Sequence, residues 1–189
     1  MSTASAPVIP ALWIAWALYW GWSSRAVKSV RRRESWLSRA AHVGPLGVAT
    51  LLLAVPSLPG WLGERCFAGG RGADVLAAAL VVAGLGFSVW ARVVLGGNWS
   101  ASVTLKDGHE IIRSGPYRLI RHPIYTGLIV AFAGSALARG EWRGLAALAI
   151  AFAALWRKLN VEERWLTEEF GARYSDYRRQ TYALFPFIL

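Results

Sequence analysis

An all-α, polytopic integral membrane protein with about five transmembrane helices is the fold class the sequence predicts, and three observations predict it. Hydrophobic residues make up 55% of the 189-residue chain and charged residues only 17%, whereas soluble domains carry about 25% charged residues. Mean hydropathy is +0.36. The apolar residues gather in long stretches divided by short polar or glycine- and proline-rich ones, and the chain holds eleven tryptophans, a residue that collects at membrane interfaces.

Val8–Ser24 (VIPALWIAWALYWGWSS) is long enough for a first span. It lacks a basic region ahead of its apolar run, so it is expected to be retained as a helix and not cleaved as a signal peptide. Residues 25–39 carry Arg25, Lys28, Arg31, Arg32, Arg33 and Arg39 against one acid, Glu34. By the positive-inside rule this loop lies in the cytoplasm and the N-terminus outside, and the loop reads as a solvated topological anchor.

Val43–Leu62 is expected as the second span, with Pro45, Pro56 and Pro59 kinking or unwinding its ends. The short connector 63–72 suits the outer side. Ala73–Gly96 is the third span, in which Gly84 and Gly86 let a neighbouring backbone approach. A hydrophilic stretch, Gly97–Arg121, separates it from helix four, Pro123–Ala138, whose proline stands where a missing N–H costs nothing.

Through the turn ARGEWRG the chain enters helix five, Gly144 to Trp156. Both helices are short for a bilayer core of about 30 Å. A tight hairpin follows, with the stripe Gly127, Ala131, Ser135 facing Gly144, Ala147, Ala151 and Ala154. From Arg157 to Gly171 the helical spacing continues in charged sequence, giving an amphipathic helix that projects from the membrane. The apolar tail YALFPFIL folds back onto the surface or the other helices. Two parts result: 1–96, spans one to three with the basic loop, and 97–189, which holds the candidate site.

A balance of 21 basic to 11 acidic residues raises nucleic acid as a partner, but the basic residues flank apolar segments and match no nucleic-acid-binding module. Contact with anionic lipid explains them, and no nucleic-acid partner is expected. Cys66 is the single cysteine, with no zinc-like spacing around it, so no metal is expected.

Chemistry concentrates at Gly115–Gly127, GPYRLIRHPIYTG, on the threshold of helix four. Polar groups are expensive at that depth and mark sites by default. The hairpin forces this stretch beside Arg157, Lys158, Glu162 and Glu163. Together Tyr117, His122 and Tyr125 offer planar surfaces, Arg118, Arg121, Arg157 and Lys158 cations, and Glu162 and Glu163 carboxylates, a set suited to a zwitterionic ligand. Structural readings compete. His122 can cap its helix, Arg118 and Arg121 can hold lipid headgroups, and either acidic pair, Glu162 and Glu163 or Glu168 and Glu169, can be a solvated face. Trp99 and Trp165 lie close enough to line the site.

GPYRLIRHPIYTG, with HEII six residues before Gly115 and EERWLTEEFGARYSDYRRQ after the hairpin, resembles the isoprenylcysteine carboxyl methyltransferase family and its bacterial relatives, which share features with the phospholipid N-methyltransferases. The resemblance covers Gly96 to Phe187. It implies a membrane-embedded enzyme using S-adenosyl-L-methionine, with S-adenosyl-L-homocysteine as product, and a lipophilic acceptor entering from the bilayer. It further implies that the cofactor is held by His109, Ile111, Ile112, Tyr117, His122, Pro123, Tyr125 and Glu162, with Arg121 and Glu163 beside them. A bacterial inner-membrane protein with the cofactor site and C-terminus in the cytoplasm is the matching location.

Two positions depart from the family. Lys158 stands where eukaryotic members have an arginine on the acceptor side, and Thr104 where members have a glutamine. An ionised carboxylate acceptor needs a guiding cation, Arg157 or Lys158, and no general base. A thiol or amine acceptor needs a base, for which Glu162, Glu163 and His122 are candidates. Methylation of an isoprenoid or prenylcysteine-like carboxylate is the leading expectation. The alternatives are a thiol or phospholipid-amine acceptor, or a non-catalytic scaffold or transporter subunit.

Overall fold

The computed structural model of the chain describes residues 8–25, 29–100, 102–106, 108 and 110–187. Its elements run α1 (Val8–Ser23), β1 (Val30–Arg33), α2 (Trp36–Ala54), α3 (Arg71–Leu95), β2 (Thr104–Lys106), α4 (Pro123–Arg139), α5 (Trp142–Phe170) and α6 (Ala172–Gln180). The fold is helical. By length and composition α2, α3 and α5 are able to cross a membrane, and α4 is a shorter apolar helix of 17 residues. Sixteen described residues of α1 complete the apolar set.

The second span starts and stops earlier than expected. Ser35 sets its start, because the Ser35 hydroxyl accepts the Ser38 N–H at 3.2 Å and satisfies a donor that the first helical turn leaves open. Pro45 is taken into the helix interior, while the helix ends at Ala54, ahead of Pro56, since a residue before proline is driven away from helical geometry. Trp36, Leu37, Val48 and Leu51 on α2 remain exposed, the face a membrane helix turns to lipid.

Helix five is a single helix of 29 residues, about 44 Å at about 1.5 Å per residue. It is therefore longer than the bilayer core and not short as its apolar part suggested, because the helix runs without a break from the apolar into the charged sequence, whose continuation was expected. The small-residue stripe of α4, however, faces α3. A Cβ on Gly84 would come within 2.4 Å of the Gly127 carbonyl oxygen and 2.6 Å of the Ala131 nitrogen, so the two backbones touch and only glycine fits. Gly144 does meet α4, at Ala136, where the hairpin turns.

The tryptophans of α1 do more than sit at an interface. Trp13 donates its indole N–H to the Ser135 hydroxyl at 3.0 Å and Trp16 to the Ser88 hydroxyl at 2.8 Å, fastening α1 to α4 and α3. At the opposite end of the bundle the hairpin turn clamps α2. Arg143, fully buried, donates to the Val55 carbonyl at 2.7 Å and pairs with Glu141 at 2.5 Å, while Arg139 donates to the Leu53 carbonyl at 2.8 Å. Cations there neutralise carbonyls that the end of α2 leaves without helical partners.

The basic loop is not a free anchor. Its residues Val30–Arg33 form an exposed strand paired antiparallel with β2, Val30 opposite Lys106 and Arg33 opposite Thr104. Arg31 pairs with Glu169, and Arg32 pairs with Glu168 at 2.9 Å and lies over the Trp165 ring at 4.1 Å. The second acidic pair, expected as a solvated face, thus has named partners. Sequence periodicity does not show such a short strand, because pairing rather than a buried face holds it. The tail folds onto the helices: Arg121 and His122 donate backbone N–H groups to Tyr182 and Ala183 at 2.8 and 3.1 Å, and Leu184 is completely buried.

Candidate active site

One cleft of about 920 Å³, its open mouth included, lies where the loop after α3, the start of α4 and the far half of α5 converge. Gly115 opens the turn into it with φ +55°, where a Cβ would also press on Val94 at 3.0 Å. The single turn Gly115–Arg118 then buries Tyr117, whose backbone carbonyl accepts the Tyr177 hydroxyl at 2.7 Å. Burial pushes both phenols up, Tyr177 to about 12 and Tyr117 further, so both stay protonated donors across the physiological range.

His122 holds the N-cap position of α4, yet its side chain makes no capping bond. It lies between two carboxylates instead, Nδ1 at 3.5 Å from Glu162 and Nε2 at 3.3 Å from Glu163. Its ring stacks on Tyr125 with centroids 5.4 Å apart, and Tyr125 donates its hydroxyl to Glu162 at 2.6 Å. Lys158 lies 3.9 Å from Glu162 and 5.3 Å from the Tyr125 ring centroid. The RHPIY stretch and the first glutamate of EE are therefore one contact network.

Burial pushes the His122 imidazole down, but hydrogen bonds and charge from Glu162 and Glu163 outweigh it and leave the pKa raised above 6.5. The folded state then keeps a proton that the unfolded chain releases near pH 6.5. That contribution is complete below pH 6.5 and is lost as pH rises through the raised value. The expected result is a melting temperature that falls with rising pH above about 6.5 in the native protein and is flatter in His122→Gln; equal slopes would mean that His122 does not titrate there.

Ile111, Ile112, Tyr117, Arg121, His122, Tyr125, Lys158 and Glu162 all line the cleft. Four expected residues do not, the exposed Arg118 among them. Pro123 is fully buried behind it, and Glu163 turns to Arg121 at 2.6 Å and Arg178 at 3.2 Å. Arg157 reaches α2, donating to the Ser38 carbonyl at 3.0 Å. His109 lies outside the described residues. Trp99 and Trp165 line the cleft as their positions suggested.

The opposite wall went unread in the sequence, Trp99 and Thr104 apart. Asn98, Ser100, Ser102 and Thr104 all line it, together with Trp99 and Val103. Asn98 Oδ1 and Thr104 Oγ1 are buried there without a hydrogen-bond partner among the described residues. Unmet polar atoms in a cleft are what a bound ligand completes.

Comparison with known proteins adds a family. The phospholipid methyltransferase family matches residues 73–173, more than half of the chain. A probable protein-S-isoprenylcysteine O-methyltransferase of Oryza sativa subsp. indica is 31% identical over 87 residues, 44% of this chain and 44% of the rice protein. Methanethiol S-methyltransferase 2 of Bradyrhizobium diazoefficiens is 44% identical over 71 residues, 37% of this chain and 26% of that protein. Steroid 5-alpha-reductase DET2 of Solanum lycopersicum is 32% identical over 111 residues, 58% of this chain and 40% of that protein. The matches span less than half the length of each of these three relatives.

Proposed function

The chain belongs to the phospholipid methyltransferase family, and from that premise we propose that it is an integral membrane methyltransferase using S-adenosylmethionine on a lipophilic acceptor. The observation that carries the reading is the convergence of His122 and Tyr125 from α4 with Glu162 from α5 around one cleft. S-adenosylmethionine supplies a methyl group on a positively charged sulfur. Glu162 is the carboxylate that balances a positive centre of that ligand. Tyr125 and His122 hold Glu162 in place, each through a hydrogen bond or ion pair. Tyr117, Ile111 and Ile112 supply surface for a flat, mostly apolar group, and His109 is assigned to the same set by motif. The unmet Asn98 and Thr104 oxygens fit a ligand that presents hydrogen-bond donors to the far wall.

Residues 97–189 form the methyltransferase core, with α1 to α3 as its support. The work of such a site is alignment and the exclusion of water. With Arg157 engaged on α2, Lys158, which lines the cleft beside Glu162, is the candidate cation for guiding an acceptor carboxylate. Carboxyl methylation of an isoprenoid or prenylcysteine-like acceptor is the first form of the reaction. A thiol acceptor is the second, favoured by the pairing of Lys158 with Glu162 and by the absence of an arginine fork at that position. In that form the thiol proton needs an acceptor, for which Glu162 and His122 are the candidates lining the cleft. The basic β1 strand lies on the same side as the cleft, Arg32 resting over the Trp165 ring that lines it, and the positive-inside rule supports a cytoplasmic reading of that side.

Calorimetric titration of the detergent-purified protein with S-adenosylhomocysteine tests the reading. Binding in the micromolar range is expected. The tomato relative's name states a reduction, so this titration decides where resemblance does not. A folded protein that binds none of the ligand would overturn the enzyme reading in favour of a membrane scaffold.

A further inference from the structure

Behind the cleft the chain buries a second group of ionisable side chains that the proposed chemistry does not use. Glu34 stands between β1 and the N-cap of α2, His42 lies one helical face along α2, and Arg157 comes from α5. The side chains of Glu34 and His42 are each 1% exposed, with His42 Nε2 3.4 Å from Glu34 Oε1. Arg157 Nη1 lies 3.5 Å from His42 Nδ1. The series ends on the cleft wall, where Glu34 Oε1 accepts the Val103 N–H at 2.9 Å and the Glu34 N–H donates to the Val103 carbonyl at 3.0 Å.

Both ends of this series touch the site. Ser102, Val103 and Thr104 form part of one wall, and Lys158 and Glu162, on the helix that carries Arg157, form part of the other. The group is poorly arranged for stability alone, since among the described residues Glu34 Oε2 has no hydrogen-bond partner and His42 Nε2 only the ion-pair approach of Glu34 Oε1. Buried ionic groups of this kind are often replaceable by apolar ones without loss of stability. What an apolar side chain cannot replace is the acceptor for the Val103 N–H.

We infer that Glu34 is a positioning residue, which through Val103 on one side and His42 and Arg157 on the other fixes the spacing between the two walls of the cleft. The ligand readout of this inference rests on the methyltransferase reading; its structural readout does not. Glu34→Ala removes the carboxylate, whereas Glu34→Gln keeps an oxygen for the Val103 N–H and removes only the charge.

The test is hydrogen exchange at the Val103 amide together with titration by S-adenosylhomocysteine, on the full-length protein in detergent. In Glu34→Ala, exchange at Val103 is expected to rise at least about tenfold, affinity to fall about tenfold, and the melting temperature to fall by a few degrees because the buried Val103 N–H loses its acceptor. Glu34→Gln is expected to restore exchange and affinity to within about twofold. Unchanged exchange and affinity in Glu34→Ala would overturn the inference. So would an even rise in exchange through α2 to α5 in both variants, which marks a general core residue. A native protein that binds no S-adenosylhomocysteine refutes the methyltransferase reading, and exchange at Val103 then decides the role of Glu34 by itself.

Discussion

Glu162→Gln is expected to lower the affinity for S-adenosylhomocysteine about 10- to 100-fold while the protein stays folded. The substitution preserves shape and still accepts the Tyr125 hydroxyl that now bonds Glu162 at 2.6 Å. It removes the charge proposed to balance the ligand's positive centre. A hydrogen bond to a charged group contributes about 1.5–3 kcal/mol, and about 1.4 kcal/mol is a factor of ten in binding. Isothermal calorimetry measures the affinity, and a melting temperature within about 4 °C of the native protein marks a folded variant. Unchanged affinity in a folded Glu162→Gln would remove this residue from the ligand set and leave the wall formed by Asn98 to Thr104 as the better candidate.

Glu163→Ala is expected to act in the opposite way, on stability first. Glu163 accepts from Arg121 at 2.6 Å and lies 3.3 Å from His122, and the Arg121 and Glu163 side chains are each only 9% exposed. Arg121 also donates to the Thr181 carbonyl, which joins the tail to the start of α4. Removing Glu163 leaves Arg121 buried without its anion, a loss of about 3–5 kcal/mol. At about 2–4 °C per kcal/mol for a chain of this size, the melting temperature falls by roughly 6–20 °C. Arg178, half exposed, adds little to that figure. Thermal unfolding followed by circular dichroism reads the shift. A variant with native melting and lost affinity would return Glu163 to the ligand-binding set.

The two glutamates are neighbours in sequence and identical in chemistry, so nothing in EE distinguishes them. A helix turns about 100° per residue, and that rotation sends Glu162 into the cleft and Glu163 toward Arg121 and Arg178. Arg157 and Lys158 separate for the same reason, one toward Ser38 and His42 on α2 and the other into the cleft. His122 was legible as a site residue because a histidine at the foot of an apolar helix is expensive without a partner. Which partner it has is a tertiary fact.

By itself the sequence determined the helical membrane fold, the extents of α3, α4 and the α4–α5 turn, and the meeting of the RHPIY stretch with the glutamates of α5. Those follow from hydropathy, from Pro123 and Gly140 at helix ends, and from a hairpin too short to let its arms part. Only the tertiary structure decided that Gly127 faces Gly84, that Trp13 and Trp16 fasten α1 to serines on α4 and α3, and that β1 closes on β2 so that Glu34 reaches Val103. Each joins residues far apart in the chain, through one hydrogen bond or one close backbone contact, and such pairings leave no periodic trace along the sequence.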